Sequence, residues 1–372
     1  MTDSHLRKRT ENLLQHADIA IDGDRPWDIQ VNNKSLFRRV FAQGSLGFGE
    51  AYMDGWWDSE SLDELFSRLI KAELDKRFKS LALMMTALKA KMLNCQTSKR
   101  AYQVGEKHYN IGNDLYAHML DSKMIYSCGY WKNAQTLDDA QQDKLELTCR
   151  KLQLQKGQRV LDIGCGWGGT ARYIAENFDV EVVGITISTE QAELAKENCR
   201  HLPVKILVKD YRQLQGNFDR VVSIGMFEHV GYKNYRTYFE TIEKLLHDDG
   251  LFLLHTIGQN TPAVHTDPWI DKYIFPNGML PSAQQICSAF EDYFVLEDWH
   301  SFGPDYDKTL MSWHRNFNKA WPKIKGKYDE RFRRMWSYYL LASAGSFRAR
   351  KNQLWQIVLS KQGLTDNYHF PR

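Results

Sequence analysis

A chain of 372 residues that is 43% apolar and 26% charged has an ordinary globular composition, is long enough for two or three domains, and is neither disordered nor fibrous. No run reaches the ~18 consecutive apolar residues of a membrane-spanning helix, and the N-terminus has no apolar stretch ahead of a small-residue cleavage site. The formal charge of +3 is unevenly spread: residues 71–107 carry nine Lys/Arg against three Asp/Glu, residues 308–361 carry thirteen against two, and the remainder is acidic. Two basic segments on an acidic background imply an anionic partner, a phospholipid surface or nucleic acid, beside the plain alternative of solvated helix faces. The six cysteines contain no C-x-x-C pair, so reduced thiols are expected, with no zinc site and no disulfide framework.

In chain order, Leu36, Val40 and Phe41 open a helix that Gly44 interrupts. A Gly-rich turn precedes Tyr52, Trp56 and Trp57. Ser59 then fits an N-cap for a helix carrying Leu62, Leu65, Phe66 and Leu69. The apolar, Met-rich stretch 81–93 is either a core helix or a segment that lies in a membrane interface or grips an acyl chain. Residues 96–107 are polar and form a linker. The division is thus a small, mainly helical domain over 1–95, a linker over 96–107 and a larger domain over 108–372.

Beyond 108 the pattern alternates. Strands are expected at 160–164, 180–188, 204–210, 219–225 and 251–258, with helices at 171–178, 190–202 and 239–250, the last closed by Gly250. Apolar strands separated by helices make a doubly wound parallel sheet, whose ligand sits beyond the carboxyl ends of the strands.

The loop Asp162-Ile163-Gly164-Cys165-Gly166-Trp167-Gly168-Gly169 joins the first of these strands to its helix. It has no Lys-Ser/Thr, which disfavours phosphate cradling, and its G-x-G-x-G spacing is not that of a dinucleotide fingerprint. Its acid stands before the glycines, where it can meet the ammonium of an amino acid, while bare glycine backbone lets a nucleoside approach closely. Those two features point to S-adenosylmethionine (SAM). Further polar groups stand at the other strand ends: Thr186 to Gln191, then Asp210-Tyr211, then Glu228-His229. The second strand ends in Gly-Ile-Thr rather than an acid, so ribose hydroxyls fall to Thr186, Ser188 and Gln191.

EKHYNIGNDLY (106–116), MIYSCGYW (124–131), VLDIGCGWGG (160–169), VVGITISTEQ (182–191), SIGMFEHVG (223–231) and LLHTIG (253–258) together resemble the cyclopropane-fatty-acyl-phospholipid synthase family. The resemblance covers roughly 104–360, and the first hundred residues resemble the extra N-terminal domain of the bacterial phospholipid-acting members, which the related mycolic acid cyclopropane synthases lack. It implies a class I SAM-dependent methyltransferase fold, Rossmann-like and doubly wound, with a small mainly helical N-terminal domain. It also implies methylene transfer from SAM to the cis double bond of unsaturated acyl chains in membrane phospholipids, through a carbocation that bound bicarbonate deprotonates.

Carried over residue by residue, the family's bicarbonate site falls on Cys128 and Ile257 (backbone N–H), Glu228 (accepting the bicarbonate O–H), His255 and Tyr306 (donors). SAM contacts fall on Tyr126 and Ser127, on Asp162, Gly164, Cys165, Gly166, Trp167 and Gly168, on Thr186, Ile187, Ser188 and Gln191, and on Asp210 and Tyr211. Plain alternatives stand beside them: a helix-terminal acid for Glu228, a satisfied core histidine for His255, a loop tyrosine for Tyr306. The expected setting is cytoplasmic, peripherally associated with the inner face of the cell membrane through the basic segments, as a homodimer, with no nucleic acid and no metal. The N-terminal domain serves either lipid docking or dimerisation. A rival on the same frame is an acyl-chain methyl-branching enzyme or a small-amine N-methyltransferase.

Overall fold

The computed structural model describes residues 3–74, 112–364, 366 and 368–372. The Met-rich stretch 81–93 and the linker 96–107 lie outside the described residues. The chain forms two compact units, each built from separate stretches. One combines Met1–Leu93, Val264–Pro276 and Tyr306–Asn352; the other combines Asn94–Ala263, Asn277–Asp305 and Gln353–Arg372. The linear division at 95 and 108 follows the sequence order, whereas 264–276 and 306–352 pack with the N-terminal helices, where Trp269 and Tyr338 join the aromatic cluster of Tyr52, Trp57 and Phe66.

In the first unit, strands β1 (Gln30–Val31) and β2 (Trp57–Asp58) pair antiparallel among helices that include Leu36–Met53, Leu62–Lys71 and Glu330–Arg348. Gly44 breaks the first of these helices with φ 60° and ψ −137°, a conformation open to glycine. Ser59 is not the cap of the second, because its hydroxyl is used on the Pro26 carbonyl at 3.1 Å; Ser61 stands at that boundary. The ring of Tyr338 lies against Tyr52, Trp57, Phe66 and Trp269. Gly345 lets Glu330–Arg348 approach Leu62–Lys71 closely, since a Cβ there would stand 2.5 Å from the Asp63 carbonyl oxygen. Arg331 pairs with Asp54, Arg334 with Asp58, and Arg348 with Asp63 and Asp307. Part of the basic excess over 308–361 therefore neutralises acids of the same unit.

In the second unit the described residues form a seven-stranded sheet. Its strands are β3 (Arg159–Ile163), β4 (Glu181–Thr186), β5 (Val204–Val208), β6 (Phe218–Ile224), β7 (Leu246–Gln259), β8 (Val295–Ser301) and β9 (Asn352–Ser360), in the order β5-β4-β3-β6-β7-β9-β8. The first five in that order run parallel and β8 runs antiparallel to β9, so the sheet is mixed rather than wholly parallel. Successive strand residues alternate between two cores. Leu161, Val183, Val221 and Leu254 face one side with Tyr238, Phe239 and Ile242; Val160, Val182, Val222 and Leu253 face the other with Leu145, Ala171 and Ile174. The helix expected over 239–250 is Tyr235–Leu245, and Gly250 lies within β7, because Leu246 already pairs with Phe218. Among the described residues no helix is long and apolar enough to cross a membrane.

Candidate active site

All the parallel strands deliver polar groups at their carboxyl ends. After β3, Gly164, Gly166 and Gly168 take φ of 84°, 53° and 84°, which favours glycine at each. The backbone N–H groups of Gly164 and Cys165 both donate to the Ile185 carbonyl at 2.9 Å, tying the loop to β4. A Cβ on Gly164 would stand 2.8 Å from the Met226 Cβ, and one on Gly168 3.1 Å from the Cys199 Sγ. At Gly166 a Cβ would meet nothing within 4 Å, so this loop backbone stands open. Trp167 donates its indole N–H to Asn113 Oδ1 at 2.9 Å and packs on Tyr116, which in turn meets Tyr126 edge-on.

Asp162 sits at the root of this loop. Its Oδ2 is buried with no hydrogen-bond partner among the described residues, and burial pushes its carboxyl up to about 7, against the opposing charge of Lys144. Lys144 is itself fully buried, and desolvation lowers it to about 8. Its Nζ donates to Ser127 Oγ at 3.0 Å. From the same helix, Leu137–Lys151, Gln141 Nε2 donates to the Ser127 carbonyl at 2.7 Å, and the Ala140 carbonyl accepts from Tyr130 N at 2.8 Å. The loop carrying Tyr126, Ser127 and Cys128 is thus clamped onto that helix. Gly129 permits the contact, since a Cβ there would lie 2.8 Å from the Ala140 Cβ.

The polar groups after β4 and β5 are already engaged with one another. Thr186 Oγ1 donates to Gln191 Oε1 at 2.9 Å, and Ser188 caps its helix by accepting from Gln191 N at 3.2 Å. Ile187 is half-buried between them. Asp210 caps the turn Tyr211–Gln213 and pairs with Arg212 at 2.6 Å, so its carboxylate is held by its own neighbour. Tyr211 is buried against Tyr238.

The last group stands at the ends of β6 and β7. Ile224 pairs with His255, and the Gly225 N–H donates to the His255 carbonyl at 2.9 Å. Four residues past β6, Glu228 is buried, with Oε1 accepting the Ile257 N–H at 2.7 Å. The Ile257 N–H, expected to face an anion, is therefore directed at Glu228. Glu228 Oε2 and His255 Nε2 are both buried with no partner among the described residues. Desolvation pushes Glu228 up to about 7 and holds the His255 imidazole well below its ordinary value. Cys128 is buried, its Sγ 3.1 Å from the Gly129 carbonyl oxygen. Tyr306 belongs to the first unit, where its ring packs on Phe347 and Trp313.

Such an arrangement offers an open glycine loop beside a buried carboxylate oxygen that has no hydrogen-bond partner among the described residues, and a buried carboxylate oxygen and imidazole nitrogen on neighbouring strands. Residues 96–357 match the family described as mycolic acid cyclopropane synthetase. The chain belongs to that family. The cyclopropane-fatty-acyl-phospholipid synthase of Escherichia coli (strain K12) is 54% identical over 96% of this chain and 94% of that one. Tuberculostearic acid methyltransferase UfaA1 of Mycobacterium tuberculosis is 32% identical over 97% and 91% of the two chains. Among solved structures, the mycolic acid cyclopropane synthase CmaA1 complexed with SAH and CTAB has a TM-score of 0.65 at 32% identity, covering 70% of this chain and 98% of its own. This member of the mycolic acid cyclopropane synthetase family is a SAM-dependent methyltransferase.

Four polar residues that the motifs do not include complete the site's surroundings: Gln141, Lys144 and Thr148 on Leu137–Lys151, and Gln356 on β9, all fully buried. The signal was present in the helix, where Gln141, Lys144, Thr148 and Lys151 recur at helical spacing on the face that also carries Leu145. Such a face reads as solvated until the tertiary structure covers it.

Proposed function

We propose that this enzyme transfers a methylene group from SAM to the cis double bond of unsaturated acyl chains in membrane phospholipids, giving cyclopropane fatty acids. The observation that carries it is the pair of unpartnered buried atoms at the ends of β6 and β7, Glu228 Oε2 and His255 Nε2. One carboxylate oxygen and one imidazole nitrogen, both buried and without a partner among the described residues, fit a small protonated oxyanion such as bicarbonate. His255 donates to its oxygen, Glu228 takes its O–H and so fixes which oxygen remains basic. The Cys128 N–H is the remaining donor of this reading, since the Ile257 N–H is given to Glu228 and orients its carboxylate. When bound, bicarbonate supplies the base that accepts the proton lost from the methylated acyl chain.

Asp162 fits the ammonium of SAM for the same reason: its Oδ2 is buried without a partner. The open backbone at Gly166 suits close approach of a nucleoside. Tyr126 and Ser127 close the methionine side, Gly164, Cys165, Trp167 and Gly168 line it, Thr186, Ile187, Ser188 and Gln191 meet the ribose, and Asp210 and Tyr211 flank the adenine. A poor nucleophile such as an alkene needs this fixed positioning, and a carbocation needs water excluded.

The E. coli relative is named for acyl phospholipid, which supports a bilayer-bound substrate here. The enzyme then visits the inner face of the cell membrane from the cytoplasm through its basic segments, as a homodimer, with the N-terminal region serving docking or dimerisation. The test is mass spectrometry and proton NMR of vesicles with cis-monounsaturated chains after incubation with enzyme, SAM and bicarbonate. A gain of one CH2 per chain with loss of the alkene and new cyclopropane protons is expected. The same gain with a double bond retained beside a methyl or methylene branch moves the assignment toward an acyl-chain methyl-branching enzyme, in line with the UfaA1 relative, which is named a methyltransferase. No gain, with SAM binding intact, overturns the lipid substrate and leaves a soluble amine as acceptor.

A further inference from the structure

His255 Nδ1 faces the side-chain amide of Gln356 across 3.3 Å, on the sheet face covered by Leu137–Lys151. Gln356 and Thr148 are both fully buried, and the Gln356 amide nitrogen also donates to Thr148 Oγ1 at 3.1 Å. Thr148 spends its own proton on the Lys144 carbonyl at 2.8 Å, so towards Gln356 it can only accept. The amide group facing Thr148 is therefore the NH2. Turning the amide round would leave that NH2 where Oε1 now stands, a buried position with no partner among the described residues. An NH2 group has only protons to offer, so His255 Nδ1 is an acceptor and a neutral imidazole carries its proton on Nε2. Nε2 is the buried nitrogen without a partner.

We propose that Gln356, held by Thr148, is a positioning residue that locks His255 in the tautomer protonated on Nε2, so that the site presents a permanent N–H donor to a small oxyanion. The inference rests on the role given to His255 under the proposed function and deepens it. The lock removes the alternative tautomer, whose bare Nε2 would repel an anion. It is a distant analogue of the outer-shell contacts that orient metal-binding histidines. Its origin lies in three elements far apart in sequence: the helix with Thr148, β7 with His255 and β9 with Gln356.

The test is imidazole nitrogen-15 NMR on the full-length enzyme, with the resonance assigned by its loss in His255→Ala. The parent enzyme is expected to show a proton on Nε2 and a bare Nδ1; a proton on Nδ1 overturns the proposal. Gln356→Glu puts an acceptor at the same place. Its His255 proton should move to Nδ1, and kcat should fall by about a hundredfold while KM for SAM stays within about twofold. A fall in kcat with the tautomer unmoved would mean a merely structural role and overturns the proposal. Gln356→Met removes the donor without supplying an acceptor, and should raise KM for added bicarbonate by about tenfold with a smaller change in kcat. If Gln356→Glu does not fold, the parent tautomer and this bicarbonate titration still decide. Failure of the underlying reading shows separately, as full kcat in His255→Ala.

Discussion

Glu228 and Asp162 are carboxyls that burial raises to about 7, one at each half of the site. A raised native value means that the protonated form is favoured in the folded state. The stability these groups contribute is fully present below the ordinary carboxyl range and is lost as pH rises towards 7. Glu228→Gln should therefore stabilise the ligand-free protein near neutral and alkaline pH, by up to about 3 kcal/mol, with the gain vanishing below the ordinary carboxyl value. Thermal melts across pH check this. On the proposed function, the same variant should lose activity by roughly 10²–10⁴-fold in kcat, since a bicarbonate O–H would lose its carboxylate acceptor. Asp162→Asn should instead raise KM for SAM by roughly a hundredfold, about 3 kcal/mol, with less effect on kcat, measured by initial rates. The carboxylates themselves were legible in the sequence from their places at strand ends. Their altered acidity was not, because it depends on burial, opposed at Asp162 by Lys144, which no motif includes.

At the scale of an element, the helix Leu137–Lys151 organises the site without belonging to any motif. Thr136 opens it with a capping box in which its hydroxyl accepts from Asp139 N at 3.1 Å and the Asp139 carboxylate accepts from Thr136 N at 3.0 Å. One face then carries Gln141, Lys144 and Thr148 inward to the loop of Ser127 and to Gln356. Thr136→Ala should destabilise the protein by about 1 kcal/mol in denaturant melts. The strand–turn–helix around Gly164, Gly166 and Gly168 was readable because left-handed backbone demands glycine there. The helix expected over 239–250 was displaced for the opposite reason. Leu246 is equally apolar in a helix or a strand, and pairing with Phe218 settled the matter.

At the scale of the whole molecule, the basic segment 308–361 shows how net charge misleads. Arg334 donates to the Tyr52 and Trp57 carbonyls at 2.5 and 2.9 Å and to Asp58 at 2.7 Å, all within its own unit. Arg334→Ala should therefore cost about 1–3 kcal/mol of stability through stranded buried acceptors, while leaving the salt dependence of vesicle binding unchanged. Sedimentation with anionic vesicles at rising salt separates the two effects, and the proposed docking itself should weaken as salt rises.

What the sequence by itself determined was local: the alternation of strands and helices, the glycine loop with Asp162 before it, and the family to which the motif order belongs. These depend on backbone conformation and on residues close along the chain. Only the tertiary structure decided the mixed edge of the sheet, the joining of 264–276 and 306–352 to the N-terminal helices, and the direction of the Ile257 N–H towards Glu228. It also brought Thr148, His255 and Gln356 into one hydrogen-bonded chain. Each of these depends on which distant groups are buried together, and burial is where an unpaired donor or charge becomes expensive enough to choose the arrangement.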